Sequence, residues 1–389
     1  MNGFWFELDE LERLYGRTLA LRIARIADES VTAVGAWCEE HGVDAWFARH
    51  GDVGVATSEA QDVRARETAE TAERLGVPEV HQPLAAEQVA GHARSPLFRC
   101  GVWSPGGAGL QPARLARGLR RALLERGVRI FEQTPVTAFR DGSPAIARTP
   151  RGSVRAGRAI VALNAWARHW GAFRRSLMVR GTYMVMTAPA PERLAEIAWT
   201  SGEGLSDFRT ALHYLRTTPD GRIAFGGAGL RVTSNRRVDV RFQYDERSVR
   251  DLVEDLHAWF PGFRDVPIEC AWGGPIDVSG RHLPFFGTLP GASTHYALGF
   301  TGNGVAPCHL AGRILSGLAL DVVDDVTTLP IVGDRPKRFP RQAIFVPGER
   351  LVTYAVLRED AREDRGRRVG PLTGRLARLP RRLGYNLGP

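Results

Sequence analysis

Residues 272–320 read WGGPIDVSGRHLPFFGTLPGASTHYALGFTGNGVAPCHLAGRILSGLAL, a loop, a strand, a glycine turn and a helix. His295 to Phe300 is a short apolar run that ends in Thr301-Gly302-Asn303-Gly304. From Ala306 onward, Leu310, Ile314, Leu315 and Leu318 fall at helical spacing. A strand that delivers a glycine turn onto a helix start suits an anion or a carbonyl oxygen, because the first-turn N–H groups have no partner within the helix. Gly302 and Gly304 let the backbone approach a flat ligand closely. A plain strand-turn-helix connection has the same pattern, so the turn needs company before it means anything.

The rest of the chain bounds what that company is. Its 389 residues, 43% hydrophobic and 24% charged, have ordinary globular composition and are long enough for two interleaved domains. The formal net charge is +9, yet Lys337 is the one lysine, and the arginines are scattered through an Ala/Gly-rich sequence. That pattern speaks against a nucleic-acid surface, whose binding would show a steep salt dependence. Cys38, Cys100, Cys270 and Cys308 form no Cys-x-x-Cys pair and no Cys/His spacing for a metal, so free thiols and no metal are expected. No apolar run approaches the ~18 residues of a membrane span. The N-terminus lacks a basic-then-apolar leader, and a cytoplasmic protein is expected.

Residues 9–48 carry apolar positions for two helices, residues 51–58 alternate like a strand, and residues 59–75 read as a charged helix. Pro112 opens a helix that Gly127 ends, and RIFE (129–132) and TPVTAF (134–139) read as strands. GRAIVALNAW (157–166) is an unalternated apolar strand, as in a sheet covered on both faces. From 177 to 272 the pattern becomes antiparallel: a long strand, a hairpin turning at Pro219-Asp220-Gly221, a helix over 246–260 and another strand. From 336 the composition shifts to Arg, Pro and Gly, with one helix over 351–365 and a basic end. A surface arm, packed or partly disordered, is the expectation there, with a membrane or RNA contact as the sharper alternative.

In order, the WGG turn, the LPFFG loop, the TGNGV turn, GGAGLQPARLARGL (106–119), Thr134-Pro135-Val136 and Ala162-Leu163-Asn164-Ala165-Trp166 resemble the FAD-dependent oxidoreductases related to D-amino-acid and glycine oxidase. The likeness is nearest the branch that includes γ-glutamylputrescine oxidases, and it spans residues 2 to about 376. It implies an α/β plus α+β fold: a truncated FAD-binding doubly wound domain interleaved with an antiparallel-sheet substrate domain. The expected division is 1–36, 100–177 and 273–335 for the FAD domain, 37–99 and 178–272 for the substrate domain, and 336–389 as a C-terminal extension. By the same resemblance, Gly302, Asn303, Gly304 and Val305 face the pyrimidine end of the flavin ring, where a helix N-terminus stabilises the negative charge of the reduced form. Asn164, Ala165 and Trp166 stand beside the cofactor, Val136 meets the adenine, and Asn2 and Gly3 belong to a segment that follows the diphosphate unit.

That unit is the departure. Members of the family begin with a strand, a G-x-G-x-x-G turn and a helix that hold the diphosphate, and this chain contains no such fingerprint. The recorded start is therefore expected to fall after the unit, and FAD binding by these residues alone to be weak. The chemistry implied is transfer of a hydride to flavin N5 from a carbon bearing an amine. That step calls for orientation more than a strong base, so no catalytic residue is assigned. Amino-acid oxidases of the family clamp the substrate carboxylate with an arginine. Here Gly273-Gly274-Pro275 holds none at a common position for it, which favours an amine or amine conjugate over a simple α-amino acid. Arg180 and Arg281 are the candidates from elsewhere, against a plainer reading as surface residues. Tyr183, His213, Tyr214 and Phe286 lie on segments that line the substrate in relatives, against a plainer reading as core or rim. A small amine or amino-acid-like substrate is the expected partner. The alternative is a non-catalytic binding or regulatory protein built on the same scaffold.

Overall fold

The computed structural model describes residues 8–227 and 238–386, so Asn2 and Gly3 lie outside the described residues. The chain opens with α1 (Leu8–Tyr15), α2 (Arg17–Glu40), β1 (Asp52–Val55), α3 (Glu59–Arg74), β2 (Gln82–Leu84), α4 (Ala86–His92), β3 (Gly101–Ser104) and α5 (Pro112–Glu125). There follow β4 (Ala138–Arg140), β5 (Ala145–Thr149), β6 (Gly152–Ala156), β7 (Ala159–Val161), β8 (Leu177–Thr187), α6 (Pro191–Glu196), β9 (Gly204–Asp207), β10 (His213–Thr217) and β11 (Ile223–Gly227). The last part holds α7 (Glu246–Trp259), β12 (Ile268–Ser279), β13 (Phe285–Thr288), β14 (Thr294–Leu298), α8 (Pro307–Ala319), α9 (Gln342–Glu363), α10 (Pro371–Ala377) and α11 (Leu379–Arg382).

Eight strands form the large sheet in the order β12-β8-β11-β10-β9-β1-β3-β2. Its pairings are antiparallel except β1 with β9. Strand β8 shows why the sheet has two different faces. Its burial alternates, and side chains two apart share a face. Tyr183 and Val185 join Leu215, Phe225 and Ile223 in a core that α7 seals with Leu252, Leu256 and Trp259. Helix α7 starts where it does because the Asp245 side chain accepts from the N–H groups of Arg247 and Ser248. Arg180, Thr182, Met184 and Met186 project from the opposite, half-buried face.

A second sheet, β13-β14-β7, pairs β14 antiparallel with β13 and parallel with β7. Helices α2 and α8 cover it through Ile23, Ile26, Phe286, Leu310, Ile314 and Leu315. This corrects the expectation of a long strand buried on both faces. Strand β7 has three residues, Ile160 is 51% exposed, and the other edge of β7 has no strand partner among the described residues. Residues 129–132 form no strand either, and Phe131 is 65% exposed. A strand persists only where a neighbour takes its backbone groups, and none lies beside this segment among the described residues. Strand β3 belongs to the large sheet, so the boundary expected at residue 100 falls after Ser104. Strand β12 runs through the boundary expected at 272.

The C-terminal extension packs onto the large sheet. Phe339, with Phe345 and Tyr385 against it, lies on Met178 and Val278. Helix α9 begins at Gln342, earlier than the spacing predicts. It docks through acids: Glu363 takes a bidentate bond from Arg64, and Asp360 accepts from the N–H groups of Thr210 and Ala211 at 3.3 and 3.0 Å. No helix among the described residues is long and apolar enough to cross a membrane.

Phe286 is fully buried between the small sheet and the helices. Its replacement by alanine is expected to cost about 3–5 kcal/mol of folding stability, measured by denaturant unfolding of the full chain.

Candidate functional site

Strand β12 is the edge of the large sheet, and the turn after β14 lies along that edge, with Phe300 bridging to Val278. Asp277 joins the two. Its carboxylate accepts from the N–H of Gly299 at 2.5 Å, and its carbonyl accepts from the N–H of Thr301 at 3.0 Å. On the other side, the N–H of Asp277 donates to Asn164 Oδ1 at 3.0 Å, and the same oxygen takes the N–H of Ala165 at 2.6 Å. Thr301 Oγ1 closes the turn by donating to the Gly299 carbonyl at 3.0 Å. One buried residue, Asp277, thus ties Asn164 through its backbone N–H to the turn of residues 299–304 held by its carboxylate and carbonyl, two segments more than a hundred residues apart in the chain.

The backbone at this junction is strained. Asn164 and Thr301 have φ of 47° and 55°, a region that residues with a Cβ enter at a cost of order 1–2 kcal/mol. Gly302, at φ 88°, enters it freely. Such strain persists only where surrounding bonds over-determine it, and the Asp277 network supplies those bonds. Asp277 itself is 2% exposed. Burial pushes its pKa up to about 6, against the pull of the backbone N–H groups that hydrogen-bond to it.

Helix α8 opens from this turn with Pro307 in its first turn. Among the described residues, the N–H groups of Gly302, Gly304 and Val305 have no acceptor. They stand at the positive end of a 13-residue helix, and Gly302 and Val305 are exposed. The turn also reaches the large sheet: a Cβ at Gly302 would lie 3.5 Å from Ile276 Cδ1. Ile276 is the register partner of Arg180, so the two share a face with Thr182 and Met184. Tyr214 joins that face, its hydroxyl 2.5 Å from Thr182 Oγ1.

The structure therefore brings Asn164 and Ala165 to the Gly302–Val305 turn. Trp166 follows them and is 50% exposed, whereas Ala165 is buried against Val179 and Phe242. Val136 lies in the loop before β4, 48% exposed, and shares no hydrogen bond with the Asp277 group. Of the four residues expected on substrate-lining segments, Tyr183, His213 and Phe286 are core, while Tyr214 is on the half-buried face beside Thr182. Tyr183 is fully buried and its hydroxyl donates to the Arg241 carbonyl at 2.7 Å. Phe286 sits in the core under α8. His213 is held between Asp207 at 2.7 Å and Asp255 at 3.1 Å. Burial pulls its pKa down, but the two carboxylates outweigh that and hold it at about 9. The physical reason is strand parity: Tyr183 and His213 point into the α7 side, while their neighbours Thr182 and Tyr214 point to the turn side. Arg281 is committed to Asp334 at 2.5 Å. Asp277 was missed. Its signal was present, a lone acid within the otherwise uncharged segment PIDVSG.

The open N–H groups of Gly302, Gly304 and Val305, in the turn before α8, would suit the carbonyl-bearing edge of a flavin ring, and Asn164 is tied to that turn through Asp277. A ring-binding helix start set against an antiparallel sheet is the arrangement of a flavin-dependent redox enzyme. The chain belongs to the FAD dependent oxidoreductase family, DAO, whose profile matches residues 4–318. It is 27% identical over 352 residues to the gamma-glutamylputrescine oxidoreductase of Escherichia coli (strain K12), covering 88% of this chain and 80% of that protein. Its fold is similar to that of glycine oxidase from Geobacillus kaustophilus, with a TM-score of 0.67 at 21% identity over 80% of this chain and 83% of that one. L-proline dehydrogenase from P. horikoshii gives a TM-score of 0.65 at 19% identity, over 79% of this chain and 81% of that one. The chain is thus an FAD-dependent oxidoreductase.

Asp277 gives the site a pH signature. Its native pKa of about 6 lies above the ordinary carboxylate value, so the native state holds the proton more tightly than the unfolded chain. Its contribution to stability is greatest below pH ~4 and declines as pH rises through 6, by on the order of 3 kcal/mol. Unfolding free energies of the parent and of Asp277→Asn are expected to differ by an amount that changes by this much across that range, since the substitution removes this contribution while those of Asp364 and the other shifted groups remain in both.

Proposed function

We propose that the chain oxidises an amine or amino-acid-like substrate, held between the Gly302–Val305 turn and the face of the large sheet that carries Ile276, Arg180, Thr182 and Tyr214. FAD, when bound, would supply the hydride acceptor for oxidation of the carbon bearing the amine, its ring edge held by Gly302, Asn303, Gly304 and Val305. The protein's own residues do the rest. The turn that leads into α8, with the open N–H groups of Gly302, Gly304 and Val305, orients the ring edge and, at the positive end of the helix, favours negative charge there. The Asp277–Asn164 bonds keep that helix start in register with the sheet. The opposing sheet face supplies a wall with two hydroxyls, Thr182 and Tyr214, bonded to each other. Support for an amine substrate comes from the relative that is a gamma-glutamylputrescine oxidoreductase. The observation that carries the reading is the hydrogen-bonded junction that sets the Gly302–Val305 turn, with its open N–H groups, beside Ile276 on the sheet.

No G-x-G-x-x-G turn occurs in the sequence, so FAD affinity of the 389-residue chain is expected to be micromolar or weaker by equilibrium dialysis. With saturating FAD under anaerobic conditions, an aliphatic amine or amino acid is expected to bleach the long-wavelength flavin band. A full panel of such compounds that leaves bound flavin oxidised would remove the enzymatic reading in favour of a non-catalytic role. Gly302→Val places a branched side chain at φ 88° in front of the ring edge. It is expected to weaken FAD binding about tenfold or more and to lower folding stability by on the order of 1–3 kcal/mol, so binding is compared at a temperature at which both proteins are folded by thermal unfolding.

A further inference from the structure

The end of the chain lies outside the family-matched residues 4–318 and has a composition of its own. Residues 365–389 hold seven arginines and no aspartate or glutamate. Arg378 reaches Glu359 of α9 at 3.9 Å, whereas Arg365, Arg367, Arg368, Arg375 and Arg382 form no ion pair among the described residues. The acids that would neutralise them are absent from their own segment.

Helices α10 and α11 act as one amphipathic unit. The N–H of Arg378 donates to the Gly374 carbonyl at 3.1 Å, and that of Arg382 to the Arg378 carbonyl at 3.2 Å, so the helical phase carries through the junction. In that phase Leu372, Leu376, Leu379 and Leu383 stand at i, i+4, i+7 and i+11, a single stripe. A helix at the surface of a globular fold turns such a stripe inward. Here it is turned out: Leu372, Leu379 and Leu383 are 71%, 39% and 57% exposed. The unit docks by its other side, through the buried Pro380 and through Tyr385 just beyond, whose ring stacks on Phe339. Arg375 and Arg382 follow Leu372 and Leu379 by three residues and so stand next to them on the helix surface. Helix α9, against which α10 packs, is also apolar where it meets solvent, with Ile344 and Tyr354 71% and 57% exposed.

Exposed leucines that stand singly need no explanation, but a stripe in helical phase set among cations does. Its partner has to take both. A nucleic acid takes the cations through its phosphates and leaves the leucines in water. A protein would need a groove cut to the ridge. A bilayer with anionic headgroups needs none: the leucines enter the boundary between headgroups and acyl chains, and the long arginine side chains reach up to the lipid phosphates. We propose that α10 and α11 are an interfacial anchor that holds the protein on a bilayer rich in anionic lipid. The unit lies along the surface and does not cross it. Attachment is reversible and salt-sensitive, since it takes the apolar stripe and the charges together. The anchor is separate from the turn and sheet face assigned to the flavin and substrate, and it stands or falls without them.

The full chain is sedimented with vesicles of phosphatidylcholine, alone or mixed with an equal part of phosphatidylglycerol, at about 0.1 M salt. Binding to the mixed vesicles is expected to be at least about tenfold tighter than to phosphatidylcholine alone, and to weaken as salt rises. Joint replacement of Leu372, Leu379 and Leu383 by glutamine keeps the net charge and is expected to weaken binding to the mixed vesicles about tenfold or more. Arg375→Gln combined with Arg382→Gln is expected to cost about tenfold as well. Thermal unfolding checks that each variant is folded. Should the triple variant fail to fold, Leu372→Gln, at the most exposed position of the stripe, decides the matter with a loss of about threefold or more. A folded parent that stays in the supernatant with the mixed vesicles overturns the proposal. So does vesicle binding that the leucine substitutions leave unchanged and that duplex DNA competes away, which makes the arginines a general polyanion surface.

Discussion

A carboxylate taken out of water is costly, and at Asp277 that cost is offset by the bonds it makes between the two sheets. The strand edge of β12 has backbone groups to satisfy, and the turn after β14 has strained residues to hold. Asp277 serves both, accepting from Gly299 through its side chain and from Thr301 through its carbonyl. Its N–H reaches back to Asn164. The open end of α8 is thereby set against the large sheet instead of swinging on a glycine turn. Burial raises the Asp277 pKa, and the N–H groups around it limit that rise, which is the balance expected where desolvation competes with hydrogen bonds to the charged form.

The large sheet divides its work by parity. On the α7 side it is core, and the buried polar groups there are paired. His213 between Asp207 and Asp255 keeps its charge in a place where burial alone would remove it. On the turn side the same strands present Arg180, Thr182 and Tyr214. Sites on sheets gain their geometry this way: adjacent residues serve opposite ends, one fixing the sheet and the next facing the ligand.

The arginine-rich composition finds much of its explanation inside the fold. Arg64 and Arg222 are bonded to acids from distant parts of the chain, and Arg209 and Arg216 pair with Asp364 and Asp52. Several of these pairs anchor the C-terminal extension, which brings acids to a basic surface and so covers it. A basic chain need not be a nucleic-acid binder when its cations are consumed by its own carboxylates.

The sequence by itself determined the local elements and the family. The helical spacing after Ala306, the proline and glycine stops of α5 and α7, the hairpin at Gly221 and the TGNGV turn are all local patterns, and local steric rules decide them. It also placed Asn164 and the turn in one site through resemblance. The tertiary structure alone decided which residues of a strand face that site, since a one-residue step reverses the face and nothing in HYL or TYM states which face is covered. It alone decided that residues 129–132 are not a strand, because pairing depends on a distant partner. And it alone set Asp277 between Asn164 and the turn of residues 299–304, and Arg180 beside Glu349. Each is a single charged residue whose meaning comes from what long-range packing sets beside it, and that is information no stretch of chain carries locally.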